Sequence, residues 1–200
     1  MTSVIASFTL SLDGFIADAN DDVRRIMRWY FAGETPVPNA SGMTFNVSSA
    51  SADYITHAFT RFGAIVTGRR DFDVSKAWGG ESPLGTPIFI LTHHPPPEWD
   101  KPEYPFTFVN GAAAVAFALA QARAVAGEKD IAISGSQVVR QALNLGLVDE
   151  IAIDLVPLLL GSGIRLFETL DHPLDLELFN TIAGAGVTHL QYRILKESSS

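Results

Sequence analysis

The sequence predicts one α/β domain built on a mostly parallel sheet. Strand-like apolar runs alternate with helical stretches through the middle of the chain, the pattern of strands joined by crossover helices. Residues 64–67, 87–92 and 131–133 read as short buried strands between those helices. The last two strand-like segments, residues 176–183 and 187–195, are joined only by Gly184-Ala185-Gly186, so they should pair antiparallel.

The elements follow in order. Residues 4–12 alternate apolar side chains with Ser and Thr and predict the first strand, closed by an Asp13-Gly14 turn. Residues 21–31 carry Ile26, Met27, Trp29, Tyr30 and Phe31 and suggest a helix. Pro36, Pro38 and Gly42 make residues 33–46 a long loop, a feature that is usually functional or mobile. Ser49 or Ser51 can cap a helix running to about Arg61, with Tyr54, Ile55, Ala58 and Phe59 at helical spacing. A short helix should open at Arg69. Residues 106–109 form a weaker strand, and the alanine-rich residues 112–126 a helix stopped by Gly127. Residues 137–145 form a helix ended by Gly146, and residues 150–156 a strand. The expectation is a single domain over residues 1–196 with a disordered tail at 197–200.

Composition narrows the function. With no cysteine among 200 residues, thiol catalysis, disulfides, Cys-ligated zinc and iron–sulfur clusters are excluded. A net charge of −8 argues against a nucleic-acid partner. No apolar run approaches the roughly 20 residues that span a bilayer, so no membrane partner is expected. The N-terminus lacks a basic segment, so the expected location is the cytoplasm. Asp18, Asn20 and Asp22 imitate the start of a calcium loop, but Val23 and Trp29 occupy its required glycine and glutamate positions. His57, His172 and His189 read as structural or surface residues, and no metal site is expected.

In open α/β sheets ligands bind beyond the carboxyl ends of the strands. Three turns stand there. Thr67-Gly68-Arg69-Arg70 offers a glycine for close backbone approach, a helix start and two cations. Alternatively it is a plain helix start with solvated arginines. Thr92 and His93 follow the next strand and could hold a phosphate or ribose edge, or simply form a polar loop before three prolines. Ser134-Gly135-Ser136-Gln137-Val138 could cradle phosphate with backbone N–H groups, or serve tight helix–sheet packing. One parallel sheet would bring all three turns to one edge, where they could hold an extended, multiply phosphorylated cofactor. No dinucleotide fingerprint, P-loop or nucleophile elbow is present.

The chain resembles the dihydrofolate reductase-like superfamily, and more narrowly the riboflavin-biosynthesis reductase family. The resemblance is carried by Ser11-Leu12-Asp13-Gly14-Phe15-Ile16-Ala17, Thr67-Gly68-Arg69-Arg70-Asp71-Phe72, Ile133-Ser134-Gly135-Ser136, Gly146-Leu147-Val148-Asp149-Glu150 and Pro157-Leu158-Leu159-Leu160-Gly161-Ser162-Gly163. It implies a mostly parallel sheet of about eight strands with helices on both faces, NADPH as cofactor, and hydride transfer to a small planar heterocyclic or ribosyl metabolite. The substrate would be pterin-like or ribosylamino-pyrimidine-like. Arg69 would meet the adenosine 2′-phosphate with Thr92 and His93 beside it. The backbone after Gly68 and Gly135 would hold the pyrophosphate, and Thr9, Ile16 and Ala17 would lie along the nicotinamide. By the same resemblance the Ser134–Gly135 peptide would be cis, and Asp53, the sole carboxylate of its helix, would be the proton donor. The chain would also form a homodimer, with residues 151–160 serving both core and interface. A ligand-sensing or nucleotide-binding protein without catalysis, on the same scaffold, is the alternative. No ribose-phosphate site is evident in residues 20–62. Met27, Trp29, Tyr30, Phe31, Met43, Phe45 and Tyr54 there suit a flat substrate, or simply cap the core.

Overall fold

A computed structural model describes residues 2–111 and 113–196. The chain starts with β1 (Val4–Ser11) and β2 (Phe15–Ala17), then a short ribbon of β3 (Thr35–Pro38) and β4 (Thr44–Val47). Helix α1 (Ser49–Arg61) leads into β5 (Phe62–Gly68), α2 (Arg69–Val74), β6 (Ile88–Leu91) and β7 (Phe106–Val109). Helix α3 (Ala114–Ala126), β8 (Asp130–Ile133), α4 (Ser136–Asn144) and β9 (Glu150–Val156) follow, then β10 (Ile164–Arg165), β11 (Leu176–Gly184) and β12 (Val187–Ile194).

Eight strands form one sheet in the order β11-β12-β9-β1-β8-β5-β6-β7. The six from β9 to β7 are parallel, and β12 and β11 are added antiparallel at one edge. Successive side chains of β1 serve opposite faces. Val4 and Ala6 pack with α3 and α4, whereas Ile5 packs with Ala58 of α1. Helices therefore cover both faces, as predicted.

Several expectations change. Residues 21–31 give only a 3-10 turn, Ile26–Phe31. The Asp18 carboxylate accepts the N–H groups of Asn20 and Asp22, and Asp22 accepts that of Arg24. These local bonds compete with a helix, and Asp21 sits at φ 63°. The expected loop over 33–46 is the β3–β4 ribbon. Pro36 and Pro38 are two apart, so their missing donors fall on one edge and leave the other free to pair. The cap of α1 is Ser48, one residue earlier than expected. The stretch 151–160 opens with β9, which lies between β1 and β12, so Ile151, Ala152 and Ile153 are core and unavailable to an interface. Leu159 of the same stretch is exposed, and so are Leu176, Leu178 and Phe179 on the edge strand β11. No peptide bond among the described residues is cis, which corrects the Ser134–Gly135 expectation. Gly135 turns the chain with φ 80° and ψ 115°, conformations a glycine reaches without a cis bond. The tail 197–200 lies outside the described residues.

Asp13 ties the first strand to the segment before β10. Its carboxylate accepts the Ser11 hydroxyl at 2.7 Å and the N–H groups of Leu160 and Gly161 at 3.1 and 2.7 Å. The Ser11 bond, helped by these two N–H groups, lowers its pKa to about 2. The folded pKa lies below the unfolded value, so folding favours the ionised form. This contribution is complete above about pH 4 and is lost as pH falls towards 2. Denaturation midpoints of the parent should therefore drop over that window, and Asp13→Asn should flatten the drop. Identical acid limbs in the two proteins would show that the carboxylate does not act this way.

Candidate functional site

The carboxyl ends of β5, β6, β7 and β8 meet along one rim, and a cleft of about 710 Å³ opens there. That volume is typical of small-molecule sites. All three predicted turns reach it: Gly68, Arg69 and Arg70 from the first, Thr92 and His93 from the second, and Ser134, Gly135, Ser136, Gln137 and Val138 from the third. Thr9, Ile16 and Ala17 line it as well.

The middle of the cleft is shaped by two glycines. A Cβ built on Gly135 would lie 3.2 Å from the Gly68 nitrogen, and one on Gly68 would lie 3.1 Å from a Val138 methyl. Side chains at either position would fill the space between the turns. Helix α4 starts at this point with Gly135 as its cap and no side chain bonding its first N–H groups. Free N–H groups at a helix start attract anions. An extended pyrophosphate fits this cradle.

The cations beside it are already engaged. Arg69 donates to Asp73 at 2.7 Å and to the His94 carbonyl, and it is half-buried. Arg70 holds Asp21 with two bonds of 2.8 and 3.0 Å. That pair links α2 to the loop after β2 across the cleft mouth. Thr67 does not line the cleft: it is fully buried, so it is removed from the cofactor-binding set. Its hydroxyl instead donates to Asp71 at 2.6 Å and accepts from Ser134 at 2.8 Å, which pins the first and third turns together.

Asp53 is exposed on α1 and does not line the cleft. With Ser48 as the cap, Asp53 falls beyond the first turn of α1, which holds no acidic residue. The proton-donor assignment of Asp53 is therefore corrected.

A different carboxyl occupies the cleft. Asp154 of β9 lies directly opposite Thr9 of β1 on one side and His189 of β12 on the other. The three form a polar row across three strands, on the sheet face under α1. Asp154 is 6 % exposed and His189 is 1 % exposed, yet Asp154 lines the cleft. His189 Nδ1 bonds Asp154 Oδ1 at 2.6 Å, and its Nε2 bonds Ser51 Oγ at 2.9 Å. Burial pushes the Asp154 carboxyl above the ordinary carboxylate range, and the bond to His189 offsets part of that rise. Aromatic side chains enclose the row. Trp29 donates to Thr9 at 3.3 Å and stacks on Tyr30. Tyr54 lies over His189 with ring centres 4.2 Å apart. Burial raises the phenol pKa of both Tyr30 and Tyr54, and the charge of Asp154 adds to it.

The aromatic set of residues 20–62 thus divides. Met27 and Tyr30 line the cleft, whereas Phe45 packs among Tyr30, Phe31 and Phe59. Asp154 and His189 were missed in the sequence. The available signal was a single carboxylate inside the otherwise apolar Ile151-Ala152-Ile153-Asp154-Leu155-Val156.

No protein-family model matches the sequence, and no curated protein matches it significantly. Solved structures do share its fold. A Shewanella sp. PV-4 protein assigned to riboflavin biosynthesis is 24 % identical, with 98 % of this chain and all of that one covered and a TM-score of 0.71. The diaminohydroxyphosphoribosylaminopyrimidine deaminase/5-amino-6-(5-phosphoribosylamino)uracil reductase of Thermotoga maritima is 12 % identical at a TM-score of 0.62. The match covers 97 % of this chain but only 57 % of that longer one. Dihydrofolate reductase from Enterococcus faecalis, complexed with NADP(H) and RAB-propyl, is 13 % identical over 97 % of both chains at a TM-score of 0.56. The chain has the dihydrofolate reductase-like fold, and the last two of these examples are reductases. No helix among the described residues is long and apolar enough to cross a membrane.

Proposed function

We propose that the protein is an NADPH-dependent reductase of a small planar heterocyclic or ribosyl metabolite, pterin-like or ribosylamino-pyrimidine-like. The observation that carries this reading is the polarity of the cleft. One part is a glycine-walled anion cradle with Arg69 at its side, and another is walled by aromatic side chains and carries a buried carboxyl. A cofactor with phosphates at one end and a flat reactive ring at the other matches that order. The shared fold with two reductases, one of them complexed with NADP(H), supports it.

When bound, NADPH supplies a hydride to an electrophilic carbon. The chain does the rest. Backbone N–H groups of Ser136, Gln137 and Val138 hold the pyrophosphate. Arg69 exchanges Asp73 for the 2′-phosphate, with Thr92 and His93 at its edge. Thr9, Ile16 and Ala17 place the nicotinamide, and Met27 and Tyr30 form the apolar wall for a flat substrate and exclude water.

Arg69→Ala should weaken NADPH binding about tenfold to a hundredfold while NADH binding barely changes, since a charge-assisted Arg–phosphate contact contributes about 1.5–3 kcal/mol. Fluorescence titration of both cofactors checks this. Activity is tested by NADPH oxidation against pterins, aminouracil ribosides and quinones. Cofactor binding without turnover on any of them would favour the ligand-sensing alternative.

A further inference from the structure

We propose that Asp154 is the acid that protonates the substrate, and that Ser48, Ser51 and His189 form the path that returns a proton to it from the surface. This rests on the reductase reading above. Hydride addition to a C=N or C=O bond places charge on the heteroatom, which needs a proton delivered from within the cleft. Asp154 is the buried carboxyl that lines the cleft, and it stands beside Thr9, at the nicotinamide end.

The geometry gives each oxygen of Asp154 a role. Oδ1 accepts from His189 Nδ1–H at 2.6 Å, and Oδ2 carries the transferable proton, with the Tyr54 hydroxyl as a further partner of the carboxyl. With Nδ1 protonated, His189 Nε2 accepts from the Ser51 hydroxyl at 2.9 Å, and Ser51 Oγ accepts from Ser48 Oγ at 3.0 Å. All three bonds then point one way, from Ser48 to Asp154. Ser51 and His189 are almost wholly buried, whereas half-buried Ser48 reaches the surface beside the exposed Ala185, whose N–H it accepts. Gly184 makes room for the path: a Cβ there would lie 2.3 Å from Ser51 Oγ and 3.2 Å from Ser48 Oγ.

The step balances. The π bond of the C=N or C=O group breaks as a C–H bond forms with the hydride supplied from bound NADPH, which is oxidised to NADP⁺. The heteroatom takes the Oδ2 proton, leaving Asp154 as a carboxylate. One proton then enters at Ser48, and each bond of the chain passes one proton onward, the last from His189 Nδ1 to Oδ1, so that Asp154 is neutral again. The carboxyl then turns to present that proton to the cleft, and the imidazole and the two hydroxyls turn back before the next turnover. The titratable groups facing Asp154 are His189 from β12, Tyr54 from α1 and Tyr30 from the 3-10 turn, and β1 contributes only the neutral Thr9. The raised pKa of the buried carboxyl agrees with a proton held above the ordinary carboxylate range.

The test uses the whole chain and three readouts. Without cofactor, the infrared band of a protonated carboxyl should persist well above pH 4 and be missing in Asp154→Asn. A band that titrates near or below the ordinary value of about 3.9 overturns the proposal. With NADPH and an acceptor found in the substrate panel, Asp154→Asn should bind NADPH like the parent but turn over about 10²–10⁴-fold more slowly. Parent-like turnover in Asp154→Asn overturns the proposal and leaves the reductase reading intact, whereas no turnover by the parent on any acceptor removes both. In rapid-mixing experiments Ser51→Ala should keep the parent's first-turnover rate and lose steady-state rate, because only reloading of Asp154 is slowed. First and later turnovers falling together, or neither falling, would remove the return path.

Discussion

Gly163→Ala should cost the protein about 2–6 kcal/mol of stability. Gly163 has φ +148°, where an alanine is strained by about 1–3 kcal/mol. A Cβ would also lie 2.1 Å from the Ala17 carbonyl oxygen and 3.0 Å from the Asp18 Cα. Both are backbone atoms, so no side chain can rotate away, and relief requires β2 to move at a further cost of about 1–3 kcal/mol. β2 pairs with β10 next to this glycine, through Ile164 and Ala17. Ile16 and Ala17 line the cleft, so the same shift should weaken NADPH binding. Gly161 is the built-in comparison: its φ is 78°, but a Cβ there meets nothing within 4 Å. Gly161→Ala should therefore lose only the conformational part, about 1 kcal/mol. Urea denaturation of the two variants measures the difference, and equal losses would contradict the contact argument.

Phe72→Ala should cost about 3–5 kcal/mol. Phe72 is 2 % exposed and is the buried residue of the six-residue α2. Its ring meets those of Phe106, Phe108 and Trp78 edge-on at 5.2, 5.5 and 6.0 Å. A helix this short has little stability of its own. Its position, and with it the aim of Arg69 and Arg70, depends on that ring. The variant should lose NADPH affinity as well as stability, though Phe72 does not line the cleft. Phe72→Leu keeps most of the volume and should lose about 1–2 kcal/mol. Full NADPH affinity in a folded Phe72→Ala protein would show that α2 is held some other way.

The parallel sheet was legible because its strands are short, apolar and set off by Gly and Pro. Two turns at its rim, Gly68-Arg69-Arg70 and Ser134-Gly135-Ser136, could be placed from their order alone, and all of these residues line the cleft. What failed was local competition and long-range pairing. Side-chain-to-backbone bonds at Asp18 and Asp22 displaced the expected helix. The β3–β4 ribbon was hidden by its prolines, which look like breakers until their two-residue spacing is set on one edge. Asp53 was favoured because it lies near the start of the right helix, whereas the buried carboxyl that lines the cleft sits in β9. The partners that mark Asp154 as unusual are distant: His189 is 35 residues away, and Ser51 is 138 residues from His189. Their meeting depends on β12 pairing with β9 and α1 covering that face, a tertiary arrangement that local pattern does not encode.

The proposed function requires that one cleft bind NADPH through its glycine-walled cradle and Arg69. Calorimetric titration, with amide NMR shifts followed in the same samples, tests it most directly. One NADPH should bind per chain, NADH should bind at least about tenfold more weakly, and the largest shifts should fall at Gly68, Arg69, Gly135, Ser136 and Val138. Equal affinity for the two cofactors, no binding, or shifts centred away from those residues would contradict it.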